Sequence, residues 1–155
     1  IPIVQVTLLG LTLIAAMGGV SLDSLSLTGT ATDIDTEWRE VKLREVLTAQ
    51  TGNPRLIVYV RDLESVGLNR EHMLQQLPLV FPKASIEAVA INKRDQAFRL
   101  ELTGYSFFRG IPGLVLEEDS VPKGETFYRL RIRSKVPLRG ASLVWLDSLG
   151  RSRPE

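Results

Sequence analysis

Hydrophobic and polar positions follow several rhythms along this chain, and the first stretch has no polar rhythm at all. Ile1 to Val20 (IPIVQVTLLGLTLIAAMGGV) carries no charged side chain, and the first charge is Asp23. About 20 apolar residues suffice to cross a bilayer as a helix, and a charge within such a helix is costly. The stretch therefore reads as a membrane anchor, which would make this a single-pass protein of a cell-envelope inner membrane or its equivalent. Two other readings fit the same residues. Ile3, Val4, Val6 and Thr7 are β-branched and Gly18-Gly19 suits a turn, so the segment also reads as core strands. A signal-peptide remnant is the third, although the basic flank such a segment carries is missing.

Beyond the anchor the pattern turns amphipathic. From Ser21 to Thr32, Leu22, Leu25 and Leu27 stand against Asp23, Ser24, Ser26 and Thr28, which predicts a half-exposed strand. Asp33 and Asp35 are N-cap candidates for a helix from about Asp35 to Gln50. Its apolar stripe is Leu43, Val46 and Leu47, Glu40 and Arg44 stand four apart, and Gly52 and Pro54 end it. Arg55 to Arg61 (RLIVYVR) is nearly continuous in apolar residues and predicts a central strand covered on both faces. A second, shorter helix (REHMLQQL) follows Gly67 and Asn69 and stops at Pro78 and Pro82.

The second half reads as strands. Ala84 to Phe108 forms a hairpin turning near Lys93-Arg94-Asp95-Gln96, with Phe98, Leu100 and Leu102 on one face. Gly110, Pro112, Gly113, Pro122 and Gly124 frame a loose loop over 109–124 around the acidic run Glu117-Glu118-Asp119. Strands follow at Thr126 to Val136 and Ala141 to Asp147. The phrase LxLTG occurs at Leu25–Gly29 and again at Leu100–Gly104, each time where an amphipathic strand is expected to end. The expected fold is therefore α+β: a ferredoxin-like sheet with two helices plus extra C-terminal strands, one domain over residues 21–155 behind an anchor at 1–20.

Composition narrows the function classes. Hydrophobic residues make up 44% and charged ones 24%, enough to bury a core and too apolar for a disordered chain. The net charge of +1 gives no global attraction to nucleic acid. There is no Cys, which excludes disulfides, thiolate metal sites and Cys nucleophiles, and His72 is the one His. No G-x-S-x-G, Walker, G-x-G-x-x-G or H-E-x-x-H motif occurs. Gly110-Ile-Pro-Gly113 reads as a turn, Glu117-Glu118-Asp119 as a solvated loop, and Glu71-His72 as a surface pair pointing about 100° apart on a helix. No catalytic residue, metal or cofactor is expected.

The strongest polar feature is a cationic stripe. Arg129, Arg131, Arg133 and Lys135 alternate with Leu130, Ile132 and Ser134, so they share one strand face. Four like charges need counter-charges, for which Glu117, Glu118 and Asp119 are candidates. The stripe reads either as the guard of an exposed edge strand or as a partner-binding face for acidic protein or anionic membrane.

The stretch Leu77 to Tyr105 pairs a helix ending in LPLVFP with ASIEAVAINKRDQAFRLELTGYS. It resembles part of the periplasmic domain of pilus and type II secretion alignment proteins, which are bitopic inner-membrane proteins. That resemblance implies a small ferredoxin-like domain and an assembly role without catalytic residues. The expectation is a membrane-anchored scaffold or assembly subunit of an envelope complex. Its partners would be other protein subunits or a second copy of this chain. The alternative is a soluble β-rich ligand- or partner-binding protein with residues 1–20 as core strands.

Overall fold

β-Branched and aromatic residues in period-two runs make most of the described residues strand. The computed structural model describes residues 31–146 apart from Thr51 and Asp119. The strands are β1 (Thr32–Ile34), β2 (Arg39–Val41), β3 (Leu47–Ala49), β4 (Arg55–Tyr59), β5 (Ile86–Asn92), β6 (Ala97–Phe108), β7 (Ile111–Glu117), β8 (Glu125–Ser134) and β9 (Leu138–Leu146). Between β4 and β5 lie two short 3-10 turns and the helix α1 (Met73–Val80). All recorded pairings are antiparallel. The spatial order is β1-β9-β4-β7-β6-β5-β8-β2, with β3 also paired to β8, and the sheet curls into a nearly closed barrel.

The closure is made by the segment expected to be a helix. β1 pairs with β9, matching Ile34 to Leu138, and β2 pairs with β8, matching Val41 to Leu130. Between them the N–H of Ser134 donates to the carbonyl of Asp35 at 2.7 Å. β3 continues along β8, and Trp145 of β9 donates its indole N–H to the carbonyl of Thr48 at 2.9 Å. Residues 32–49 thus cross the seam between β8 and β9 as a strap. The helix expected over Asp35–Gln50 is wrong, and the reason is in which residues are buried. Ile34, Val41, Leu47 and Ala49 face the core, while Val46 of the expected stripe is 45% exposed. Pairing with long strands on both sides overrides a modest local helix preference.

A second correction concerns the loop expected at 109–124. β7 runs through Pro112 and Gly113 and lies between β4 and β6 in the middle of the sheet. Its Pro sits where β4 pairing ends, so the missing N–H breaks no ladder bond there. Gly113 lies opposite Tyr59, and a Cβ on it would come within 2.9 Å of the Tyr59 ring and 2.8 Å of Ile57. The tight turn is Arg109-Gly110, at φ 53 and 81, the pair of positive angles that a two-residue hairpin with right-handed twist requires.

The expected ferredoxin-like α+β fold with two helices is overturned: the described residues are mostly antiparallel strand with one short helix. The single-pass membrane placement is withdrawn with it. Among the described residues no helix is long and apolar enough to cross a membrane, and Ile1–Val20, which carried that expectation, lies outside them. Two expectations agree with the structure. β4 is central and apolar on both faces, and the β5–β6 hairpin turns at residues 93–96. The second LxLTG phrase ends no strand: β6 continues past Gly104 through a bulge at Thr103.

The barrel interior is filled by side chains. Leu56, Val58, Leu100, Leu114, Leu116, Phe127, Leu130 and Ile132 are at most 1% exposed. Phe98, Phe127 and Trp145 stack edge to face, with centroids 5.5 and 5.8 Å apart. α1 closes one end, burying Met73 and Leu77 in the same core. Such apolar burial stabilises by about 1.5–3 kcal/mol for each large side chain.

Candidate partner-binding surfaces

The cationic stripe lies on the outer face of β8, as its alternation predicts. β8 is not an edge strand, however: β5 pairs with one side and β2 and β3 with the other. Neighbouring strands therefore supply the counter-charges. Arg129 makes a two-pronged contact with Glu40, Nε to Oε2 at 3.1 Å and Nη2 to Oε1 at 3.2 Å, and reaches Asp95 at 3.8 Å. Arg133 grips Glu87 Oε2 through Nε at 2.8 Å and Nη2 at 2.7 Å. The other oxygen of Glu87 is held by Arg99 at 2.6 Å, and Arg99 also approaches Glu101 at 3.9 Å. Arg131 and Arg133 stand over the Trp38 ring, with guanidinium carbons 5.9 and 4.4 Å from its centroid. Lys135 follows the strand and is exposed.

The flank is thus a lattice of alternating charge and not a bare cationic strip. Arg129 hydrogen-bonds Glu40 and holds its carboxyl below the usual carboxylate range. The acidic run expected to neutralise the stripe is engaged elsewhere. Glu117 accepts the Thr103 hydroxyl at 2.7 Å, and Glu118 accepts the Ser120 hydroxyl at 2.9 Å. Asp119 lies outside the described residues.

A second surface, at the α1 end, has the opposite character. α1 buries Met73 and Leu77 and turns Leu74, Gln75, Pro78 and Leu79 outward. Leu74 is 73% and Leu79 81% exposed, and Phe107 near the β6–β7 turn is 44% exposed. A groove of about 410 Å³ lies between α1 and that turn, lined by Met73, Leu74, Phe107 and Gly110 among others. Arg70 packs its guanidinium against Gly110 at the same place. Tyr105, two residues before Phe107, donates its hydroxyl to the carbonyl of Phe81 and so ties β6 to the end of α1. Burial raises the pKa of that phenol.

Sequence reasoning found the first surface and missed the second. The signal was the run Tyr105-Ser-Phe107-Phe108, which keeps its aromatic alternation after the hairpin partner has ended. Glu71 and His72 lie in the 3-10 turn before α1, which Asn69 caps by accepting the Glu71 N–H at 2.7 Å. Among the described residues no group of three or more His, Asp or Glu is placed to hold a metal ion. No family model, curated protein or solved structure matches the chain.

Proposed function

We propose that the described domain is a β-barrel module that works by binding a protein partner, with the α1 end as its contact surface. One observation carries the reading. Leu74 and Phe107 put large apolar side chains into solvent around one groove and Leu79 exposes a third on the same helix, while the flank satisfies its charges internally. Clustered exposed apolar groups mark interaction sites, whereas scattered ones need no explanation. The arginine stripe is the weaker contact surface, because a partner would have to break the links of Arg129 and Arg133 to Glu40 and Glu87 before gaining any of its own.

Photo-crosslinking in the native cell tests this reading. A photoreactive residue at Leu79 should give discrete protein adducts, and one at Tyr128, which is 48% exposed on β8, should give few. Adducts from position 128 with none from position 79 would move the contact to the charged flank.

A further inference from the structure

β6 is the longest strand among the described residues, and it outruns its neighbour. It spans Ala97–Phe108, yet β5 pairs with it only from Ala97 to Glu101, while β7 pairs with it as far as Phe108. Past Glu101 one edge of β6 has no strand beside it among the described residues.

The hairpin phase decides what that edge offers. Antiparallel partners alternate between pairs that exchange both backbone hydrogen bonds and pairs that exchange none. Phe108 and Ile111 close the two-residue turn, so they form a bonded pair, and Ser106 with Gly113 is the next. Phe107 opposite Pro112 and Tyr105 opposite Leu114 are then the non-bonded pairs. Pro112 fixes the same phase independently. It has no N–H to give, and its carbonyl accepts the Val60 N–H at 2.9 Å on the side away from β6. The N–H and C=O groups of Tyr105 and Phe107 therefore point away from β7, towards the edge that no described strand covers. Backbone groups repeating every second residue are half of a strand ladder.

We propose that this edge takes an extended peptide segment of a partner protein as an added strand, seating an apolar side chain of that segment between Phe107 and Leu74. The proposal rests on the partner-binding reading above and specifies the form of the partner. The edge selects an extended backbone, because a helix has spent its own N–H and C=O groups internally. The groove beside Phe107 selects an apolar residue, because side chains of an added strand alternate between its two faces. With only Tyr105 and Phe107 offering ladder groups, the segment is short and the contact falls among weak, exchangeable ones.

The test selects peptides from a random library on the immobilised 155-residue chain and maps the tightest binder by residue-resolved amide exchange. The amides of Tyr105 and Phe107 should slow in the complex. Phe107→Pro removes one edge N–H at a position from which β7 takes nothing, and Leu74→Glu charges the groove wall. Each should weaken binding by about tenfold, the equivalent of one hydrogen bond or apolar contact of about 1.4 kcal/mol, and Arg129→Gln should leave it unchanged. Leu74→Glu alone carries the test if Phe107→Pro fails to fold, since Leu74 is an exposed helix position. Protection elsewhere with Tyr105 and Phe107 unaffected overturns the edge proposal and leaves partner binding intact. A library that yields no binder overturns both. Protection of those two amides in a dimer of the free chain makes the occupant a second copy and overturns the peptide assignment.

Discussion

The β8 flank and the α1 end are built from the same kind of strand and solve opposite problems. β8 has a partner on each edge, so Arg129, Arg131 and Arg133 on its outer face each meet a neighbouring side chain. Charge is tolerable there because Glu40, Glu87 and Asp95 come within reach of Arg129 and Arg133. Among the described residues the last part of β6 has a partner strand on one edge only, and its other side looks towards the end of α1. A strand paired on both sides can satisfy its polar groups from within the fold, and a strand paired on one side leaves them for something else. That difference, more than the number of charges, separates the internally satisfied flank from the proposed contact surface.

Variants that damage the flank should cost stability, and variants at the α1 end should not. The largest effect is expected from Ile132→Ala on the inner face of β8. Ile132 is 0% exposed, so the cost should be about 2–5 kcal/mol in a denaturant titration. A loss near that of an exposed position would mean that β8 does not face the core. Glu87→Gln comes next. Its side chain is 15% exposed and holds both Arg99 and Arg133, so removing its charge should cost about 1–3 kcal/mol. An unchanged midpoint would show the lattice to be ornamental and reopen the flank as a docking face.

Glu40→Gln should act more weakly and with a pH signature. A carboxyl whose folded pKa is lowered contributes stability that is present above its unfolded pKa and is lost as pH falls through the folded value. The variant should therefore melt slightly below the parent at pH 7, and the two curves should converge below about pH 4. Because both partners are about half exposed, added salt should shrink the difference as well. Leu79→Lys should have the smallest effect of all, within about 0.5 kcal/mol of the parent in a thermal melt. A large loss there would mean that the exposed face of α1 is covered in the folded chain, and the contrast between the two regions would fail.

What the sequence could and could not reveal follows from the range of each interaction. β4 was legible because an unbroken apolar run has one explanation at that length. The arginine face was legible because alternation is local. Its partners were not, since Glu40 stands 89 positions from Arg129. The strap over 32–49 was misread because its strands are three residues each and take their conformation from β8 and β9, not from their own periodicity. β7 was hidden by Pro112 and Gly113, which mark a loop locally and in the sheet mark the end of a ladder and the space for a Tyr ring. The open edge of β6 depends on where β5 stops, which no local pattern states.

Residue-resolved amide exchange of the free chain tests the central contrast most directly. On β8, flanked on both sides, the consecutive amides of Leu130, Arg131 and Ile132 should all be slow. On β6 the rates should alternate, with Ser106 and Phe108 protected by β7 and Tyr105 and Phe107 fast. Equal protection of all four β6 amides would contradict the account, because it would mean that the edge is already occupied.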